Sequence, residues 1–236
     1  MKVLAIIPAR GGSKRVEKKN IKHLLGKPLI YYSIQNAKDS KYITDFVVST
    51  EDKEIAKISE DLGAPVIMRH EHLAVDTAKT EPVLVHVLEE FKKKGKTFDF
   101  VVLLQPTTPF RTTENIDKAI ALFKESNADS VVSVMPVQGR FNPFKLMKIQ
   151  DGALKHYLDQ SNKELVTRDQ DAMKKLPVYT RNGQIYITKT SLVEKEDLYG
   201  EKCVPFVIND KFQINIDEPE DFALAEFLVN KGVVKL

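Results

Sequence analysis

Hydrophobic residues are grouped along the chain into short apolar runs, which are separated by longer stretches with helical spacing. Residues 1–7 are mostly aliphatic, and residues 99–104 form the most strand-like run of the sequence. Apolar runs without strict alternation are typical of strands buried on both faces of a parallel sheet. Apolar positions three and four residues apart indicate helices between these runs. The pattern therefore predicts an α/β fold with a mostly parallel central sheet flanked by helices.

The predicted strands and helices alternate along most of the sequence. Strands are predicted at residues 1–7, 45–50, 65–68, 99–104, 130–134, 184–188, 203–208 and 212–217. Helices are predicted after Lys27-Pro28, at residues 51–58, 81–94 and 114–126, and from residue 218 onwards. We expect Asp217 to be the N-cap of the last helix, with an apolar face made of Phe222, Leu224, Ala225, Phe227 and Leu228.

The alternation stops between residues 138 and 181, where aromatic residues and cations are mixed without a strand or helix pattern. A stretch of this size is too small to fold alone. At 236 residues, the chain has room for one sizeable α/β core. We therefore predict a single domain over residues 1–236, with residues 138–181 inserted as a dimerisation arm.

The composition excludes several classes of protein. Apolar residues make up 42% and charged residues 29% of the chain, as in ordinary globular proteins. Since no run approaches the ~18 apolar residues of a membrane span or a signal peptide pattern, we expect a cytoplasmic protein without membrane contact. A net charge of +3 does not require a nucleic-acid partner. The single cysteine, Cys203, is expected to be buried among apolar side chains.

The loop after the first predicted strand carries most of the candidate chemistry. Residues 6–20 read IIPARGGSKRVEKKN, in which Gly11-Gly12 is surrounded by the cations Arg10, Lys14, Arg15, Lys18 and Lys19. The two glycines permit positive φ and let backbone N–H groups approach a ligand. The spacing excludes a Walker A loop and a dinucleotide fingerprint. We interpret the loop as a polyphosphate site, with a solvated basic turn as the alternative.

A second stretch of interest follows the strand predicted at residues 99–104. Residues 105–111 read QPTTPFR, and their prolines and threonines predict a rigid rim at the carboxyl end of a buried strand. Open α/β sheets bind ligands at this end of their strands. The alternative is a plain strand-to-helix connection in which Thr112 or Thr113 caps the next helix.

The first loop resembles the signature of the acylneuraminate (sialic acid) cytidylyltransferases, because Ala9-Arg10, Ser13-Lys14 and Lys19-Asn20 match the family pattern. Further blocks follow in the family's order at residues 48–51, 73–78, 104–111 and 182–186. The resemblance implies a Rossmann-like nucleotidyltransferase that couples CTP to a nine-carbon sugar acid and releases pyrophosphate. Legionaminic or pseudaminic acid would fit the same motifs as sialic acid, whereas Kdo fits the first loop less well.

The resemblance also implies roles for individual residues. Arg10, Lys19 and Asp217 would be catalytic. The implied nucleotide-binding residues are Ala9, Arg10, Gly11, Gly12, Ser13, Lys14, Lys19, Asn20, Arg69, Ala78 and Thr80. Gln105 matches a residue that contacts the sugar, and its amide can both donate and accept hydrogen bonds. Lys145, Arg168 and Arg181 are candidates for the sugar carboxylate or for the triphosphate across a dimer interface, with solvated surface positions as the alternative.

The resemblance finally implies a Mg²⁺ cofactor and a homodimer. Relatives hold the cation with Asp-x-Asp, whereas this chain has Asn215-Ile216-Asp217. An Asn carbonyl is still a hard oxygen ligand, so we expect Asp217 and, more weakly, Asn215 to ligate the metal. Two alternatives stay open: Glu51, where many relatives have Asp, could change the choice of base, and the lost carboxylate at position 215 could leave a binding module without turnover.

Overall fold

The computed structural model describes residues 1–158, 177–210 and 212–236. The chain divides into two compact units. The first unit comprises Met1–Ser133, Gly183–Phe206 and Lys211–Leu236, and the second comprises Val134–Asn182 and Val207–Asp210. That residues 138–181 act as a dimerisation arm of a single domain stays a prediction.

In the described part of the chain, seven strands form one sheet, and two two-stranded hairpins lie apart from it. The sheet contains β1 (Val3–Pro8), β4 (Asp45–Thr50), β5 (Val66–Met68), β6 (Phe100–Leu103), β7 (Ser130–Pro136), β10 (Tyr179–Lys189) and β11 (Cys203–Val207). The hairpins pair β2 (His23–Leu24) with β3 (Lys27–Pro28) and β8 (Met147–Gln150) with β9 (Ala153–His156).

The strand order of the sheet is β11-β7-β10-β6-β1-β4-β5. Strand β1 is parallel to both β4 and β6, and β4 is parallel to β5, whereas β10 is antiparallel to β6. The predicted mostly parallel sheet flanked by helices is therefore confirmed.

In the described residues, the predicted helices are present and follow the strands closely, and one short helix after β10 was not predicted. The helices are α1 (Ile30–Asp39), α2 (Lys53–Asp61), α3 (Thr80–Lys93), α4 (Thr113–Ser126), α5 (Thr190–Val193) and α6 (Pro219–Asn230). Asp52 caps α2 by accepting from the backbone N–H groups of Glu54 and Ile55. Thr112, one of the two predicted caps, accepts from the N–H of Asn115 and begins α4.

Strand β1 is buried on both faces, as its unbroken apolar sequence predicts. Val3, Ala5 and Ile7 belong to the core cluster that contains residues of α1 and α4. Leu4 and Ile6 point to the opposite face, in the cluster that contains residues of α3. Each fully buried aliphatic side chain of this size contributes about 1.5–3 kcal/mol. The strand is therefore a rigid support for the loop that follows it.

The order of the strands creates a crevice beside β1. The chain runs from β1 to β4 and β5 on one side, and then crosses to β6 on the other side of β1. Open α/β sheets bind ligands in a crevice at the carboxyl ends of the strands where the strand order reverses in this way. Here that crevice lies between the ends of β1 and β6.

The strand predicted at residues 212–217 is wrong, because the structure describes no regular secondary structure there. The segment forms one backbone hydrogen bond with the rim after β6, from the N–H of Ile216 to the carbonyl oxygen of Thr107 (2.7 Å). Ile214 and Ile216 are nevertheless buried, in a third core cluster with Val16 of the first loop and Phe222 of α6. The segment packs under the first loop and does not extend the sheet.

Two expectations for the last helix are also corrected. The N-cap of α6 is Glu218 and not Asp217, because the helix begins at Pro219 and Glu218 forms a capping box with Asp221, whose carboxylate accepts from the N–H of Glu218 at 2.8 Å. Only Phe222, Ala225 and Leu228 of the predicted apolar face are buried, whereas Leu224 and Phe227 are exposed.

Cys203 is exposed, contrary to expectation, because it lies on β11, which is the last strand in the order of the sheet. In the ranges that the structure describes, no helix has the length and apolar character needed to cross a bilayer.

Candidate active site

A cleft of about 280 Å³ opens at the carboxyl ends of β1 and β6, within the first unit. Three segments line it: the loop after β1, the segment between β5 and α3, and the rim after β6. The predicted site residues that line the cleft are Arg10, Ser13, Lys19, Asn20, Arg69, Ala78, Thr80 and Gln105. Ala9, Gly11, Gly12 and Lys14 lie in the first loop outside this lining.

Gly11 of the first loop serves close packing, which differs from the positive φ predicted for the two glycines. Neither has a positive φ, and the left-handed residue of the loop is Lys18, with φ of 50°. A Cβ on Gly11 would lie 2.9 Å from the Cβ of Asp52, so only glycine allows α2 to approach the loop. The N–H of Gly11 already donates to Glu51 Oε1 at 2.7 Å. The N–H of Gly11 is therefore not available to bind an anion.

Lys19 connects the cleft to the segment before α6. Its Nζ donates to Asp217 Oδ1 at 2.9 Å and to the carbonyl oxygen of Ile216 at 2.8 Å. The next residue, Asn20, is buried and donates to the carbonyl oxygen of Arg10 at 2.9 Å. Asn20 thus holds the loop in shape in addition to lining the cleft.

Arg69 is buried and forms an ion pair with Glu51, in which two nitrogens share one carboxylate oxygen. Its Nε and one terminal nitrogen donate to Glu51 Oε2 at 3.0 and 2.8 Å. Burial lowers the pKa of Arg69, and the charge of Glu51 opposes this shift. Because Oε1 of Glu51 accepts from Gly11, this one carboxylate fastens Arg69 to the first loop. The sequence pointed to Glu51 only in connection with base choice, and its bridging role was missed.

Asp76 is a cleft residue to which the sequence analysis assigned no role. Its two carboxylate oxygens pair with Arg10 at 2.9 Å and with Lys14 at 2.5 Å. A hydrogen bond from Lys14 is the largest cause that holds the pKa of Asp76 below its ordinary value, and Arg10 acts in the same direction. Asp76 lies in the block at residues 73–78 that resembles the family, and this position could have identified it from the sequence.

The rim after β6 is held by a buried arginine. Arg111, only 3% exposed, donates from one terminal nitrogen to Gln105 O (3.1 Å), Thr108 Oγ1 (2.9 Å) and Gln184 O (2.8 Å). Its other terminal nitrogen donates to Ser33 Oγ at 2.5 Å. No carboxylate is among its partners in the described residues, and burial lowers the pKa of Arg111 to about 9. Arg111 thus fixes the backbone on which Gln105 is carried.

Asn215 and Asp217 are the predicted metal ligands. The side-chain nitrogen of Asn215 donates to Asp217 Oδ2, and Asp217 Oδ1 accepts from Lys19. Within residues 1–158, 177–210 and 212–236, no group of three or more His, Cys, Asp or Glu side chains could hold a metal ion. One carboxylate beside an amide fits a Mg²⁺ ion that takes its remaining ligands from water and phosphate, as this ion commonly does.

Lys145, Arg168 and Arg181 were predicted to bind the sugar carboxylate or the triphosphate across a dimer interface. Lys145 and Arg181 belong to the second unit, and Arg168 lies outside the described residues. Their role stays a prediction.

Comparison with known proteins gives a consistent result. Residues 4–227 match the family model described as cytidylyltransferase. The chain is 38% identical, over 97% of both sequences, to a CMP-N,N'-diacetyllegionaminic acid synthase of Legionella pneumophila. It is 30% identical to a pseudaminic acid cytidylyltransferase of Campylobacter jejuni, over 97% of this chain and 96% of the relative. A solved CMP:2-keto-3-deoxy-manno-octonic acid synthetase with CTP has the same fold (TM-score 0.73, 15% identity, covering 98% of this chain and 100% of that one).

Proposed function

This chain belongs to the cytidylyltransferase family, and from that premise we propose that it transfers CMP from CTP to the anomeric hydroxyl of a nonulosonic acid. The products are the CMP-sugar and pyrophosphate. The observation that carries this proposal is the cleft between β1 and β6, which is lined by Arg10 and Lys19 from one strand end and by Gln105 from the other.

The first loop and α3 bind the triphosphate. Arg10 and Lys19 place positive charge in the cleft, and Lys14 lies beside them through its contact with Asp76. Helix α3 begins at Thr80, which lines the cleft, and its N-cap residue Lys79 forms no side-chain capping hydrogen bond. The N–H groups of its first turn therefore add a potential that favours phosphate.

The nucleoside and the sugar occupy opposite ends of the cleft. Asn20, Arg69, Ala78 and Thr80 contact the cytidine, and Arg69 is held for this purpose by Glu51. Gln105 binds the sugar acid through an amide that matches its hydroxyl groups. The anomeric hydroxyl then attacks the α-phosphorus and releases its proton to solvent, while the bond to the bridging oxygen of the β-phosphate breaks. The cations of the first loop stabilise the charge that develops on the leaving pyrophosphate.

Asp217 would hold a Mg²⁺ ion, and Asn215 would be a weaker ligand through its amide oxygen. The ion would neutralise phosphate charge and orient the triphosphate. Replacing Asn215 by Asp adds a carboxylate next to Asp217. The Asn215→Asp enzyme should therefore need less Mg²⁺ for half-maximal rate, and an unchanged requirement would remove residue 215 from the metal site.

The protein functions as a homodimer through the second unit. The β8–β9 hairpin exposes apolar side chains that pair across its strands, Ile149 (81% exposed) opposite Leu154 (67%). Adjacent exposed apolar side chains of this kind mark interaction surfaces. The double substitution Ile149→Asp and Leu154→Asp should shift the mass measured by light scattering from dimer to monomer, whereas Lys148→Asp on the same hairpin should not.

The activity is tested by pyrophosphate release in the presence of Mg²⁺. CTP, UTP, ATP and GTP are each combined with N-acetylneuraminate, N,N'-diacetyllegionaminate, pseudaminate and Kdo. We expect release with CTP and one of the three nonulosonates, and the 38% identical relative makes N,N'-diacetyllegionaminate the first to test. No release across this grid, from a protein that binds CTP, would overturn the proposal.

A further inference from the structure

Two of the cations proposed to bind triphosphate are already engaged by a carboxylate of the protein. Asp76 lies between β5 and α3 and lines the cleft. Its Oδ1 is 2.9 Å from Arg10 and its Oδ2 is 2.5 Å from Lys14, so each oxygen is paired with one of the two cations. A phosphate group bound to the same side chains would present two oxygens in the same manner.

Asp76 is a poor candidate for a purely structural tether. The side chain of Lys14 is 80% exposed and that of Asp76 is 36% exposed. Ion pairs with this exposure contribute little to folding, because water and salt screen them. They also exchange easily for other anions. Buried contacts hold the rest of the site, such as the ion pair of Arg69 with Glu51.

We propose that Asp76 occupies the position of a phosphate group in the free enzyme, and that CTP and pyrophosphate must displace it from Arg10 and Lys14. This inference rests on the proposed function, because it takes the displaced position to be that of a nucleotide phosphate. Asp76 then acts as an internal competitor that weakens the binding of both the substrate and the leaving product. It makes no contact with the reacting atoms.

Competition by Asp76 favours turnover by promoting product release. Tight binding of triphosphate and pyrophosphate alike would lower KM without raising kcat, and it would retain the product. A carboxylate that returns to Arg10 and Lys14 helps pyrophosphate to leave. Because Lys14 and Arg10 lower the pKa of Asp76, the carboxylate remains charged at neutral pH.

The test is calorimetric titration of pyrophosphate, CTP and cytidine into the full-length protein in Mg²⁺ buffer. Asp76→Asn removes the competing charge, Asp76→Glu retains it, and Glu54→Gln is the matched control. Glu54 pairs at 2.5 Å with Lys18 of the same loop, which does not line the cleft. We expect Asp76→Asn to lower the Kd of pyrophosphate and of CTP by about three- to tenfold, the range for losing two exposed ion pairs.

The remaining measurements separate the competition from other effects. The Kd of cytidine, which has no phosphate, should be unchanged in every variant, and Asp76→Glu should bind pyrophosphate with nearly wild-type affinity. In steady state, the KM for CTP and the inhibition constant of pyrophosphate should fall by the same factor in Asp76→Asn.

An unchanged pyrophosphate Kd in Asp76→Asn would overturn the proposal. An equal decrease in Glu54→Gln would overturn it as well, because the effect would then come from net charge. If no variant bound CTP or pyrophosphate, the proposed function would fall together with the role of Asp76. Binding without a difference between variants would remove the role of Asp76 alone.

Discussion

The two sides of the cleft use positive charge in opposite ways. In the loop after β1, Arg10 and Lys14 are partly or largely exposed and are paired with Asp76. In the rim after β6, Arg111 is buried and its partners are carbonyl and hydroxyl oxygens, with no carboxylate among them in the described residues. The first set of contacts can be exchanged for an incoming anion. The second cannot be broken without leaving buried oxygen atoms unpaired.

This difference indicates that binding and positioning have been separated between two strand ends. A cation that binds a soluble ligand has to remain accessible, and its ion pair within the protein has to be weak enough to break. A group that holds Gln105 in place has to be immobile, and burial with directed hydrogen bonds provides this. Substitutions on the two sides should therefore affect different observables, and four predictions follow this division.

The largest effect is expected at Lys19. Among the first-loop cations that form ion pairs in the described residues, Lys19 has the least exposed side chain. Lys19→Met should lower kcat/KM for CTP by about 10²–10³, as loss of a preorganised charge in an active site commonly does. Lys18→Met is the matched control, because the neighbouring Lys18 pairs with Glu54 at an exposed position. If the two variants lost the same activity, measured by pyrophosphate release, the total charge of the loop would matter and the position of Lys19 would not.

The next effect is on folding, at Arg111. Arg111→Met removes the hydrogen bonds to Gln105, Thr108 and Gln184 and should lower the free energy of unfolding by about 2–4 kcal/mol. The exposed Arg15→Met should change it by less than about 0.5 kcal/mol. Urea unfolding measures both. A loss in Arg111→Met no larger than that in Arg15→Met would contradict the positioning role.

A smaller effect is expected for Gln105, which lines the cleft from the rim. Gln105→Ala should raise the KM for the sugar acid by about tenfold, the loss expected for hydrogen bonds worth about 1.4 kcal/mol. The KM for CTP should be unchanged. Steady-state kinetics with each substrate varied in turn will measure this, and a rise in the KM for CTP alone would place Gln105 at the nucleotide.

The smallest effect concerns salt. Raising the ionic strength from about 0.05 to 0.5 M should increase the KM for CTP about two- to fivefold, because exposed charges of the first loop are screened. The destabilisation caused by Arg111→Met should stay the same over this range, since its lost contacts are buried. If salt changed the stability difference and left the KM for CTP constant, the roles of the two sides would be reversed.

The sequence alone was sufficient for the architecture and for the approximate composition of the site. Unbroken apolar runs such as residues 3–7 and helical spacing after them correctly predicted the α/β fold, because burial on both faces of a parallel strand requires such runs. The first loop and QPTTPFR were singled out from residue types whose chemistry suits anions and rigid rims. Eight of the predicted site residues line one cleft, namely Arg10, Ser13, Lys19, Asn20, Arg69, Ala78, Thr80 and Gln105.

The pairings of these residues were decided only by the tertiary structure. Glu51 lies 18 positions from Arg69, and Asp217 lies 198 positions from Lys19, so no local spacing reveals either contact. The wrong strand prediction at residues 212–217 has the same cause. Ile214 and Ile216 are buried in alternation, as in a strand, but they pack against the first loop and not in the sheet.

Local pattern thus identified most of the buried apolar positions, since burial largely follows from residue type and periodicity, although Cys203, Leu224 and Phe227 are exposed. Whether a given charge is free, exchangeable or locked depends on the group that the fold places opposite it. That group is the exposed carboxylate of Asp76 for Arg10, and a set of buried backbone and hydroxyl oxygens for Arg111. Long-range packing supplies these partners, and it therefore decides which cations can bind a ligand.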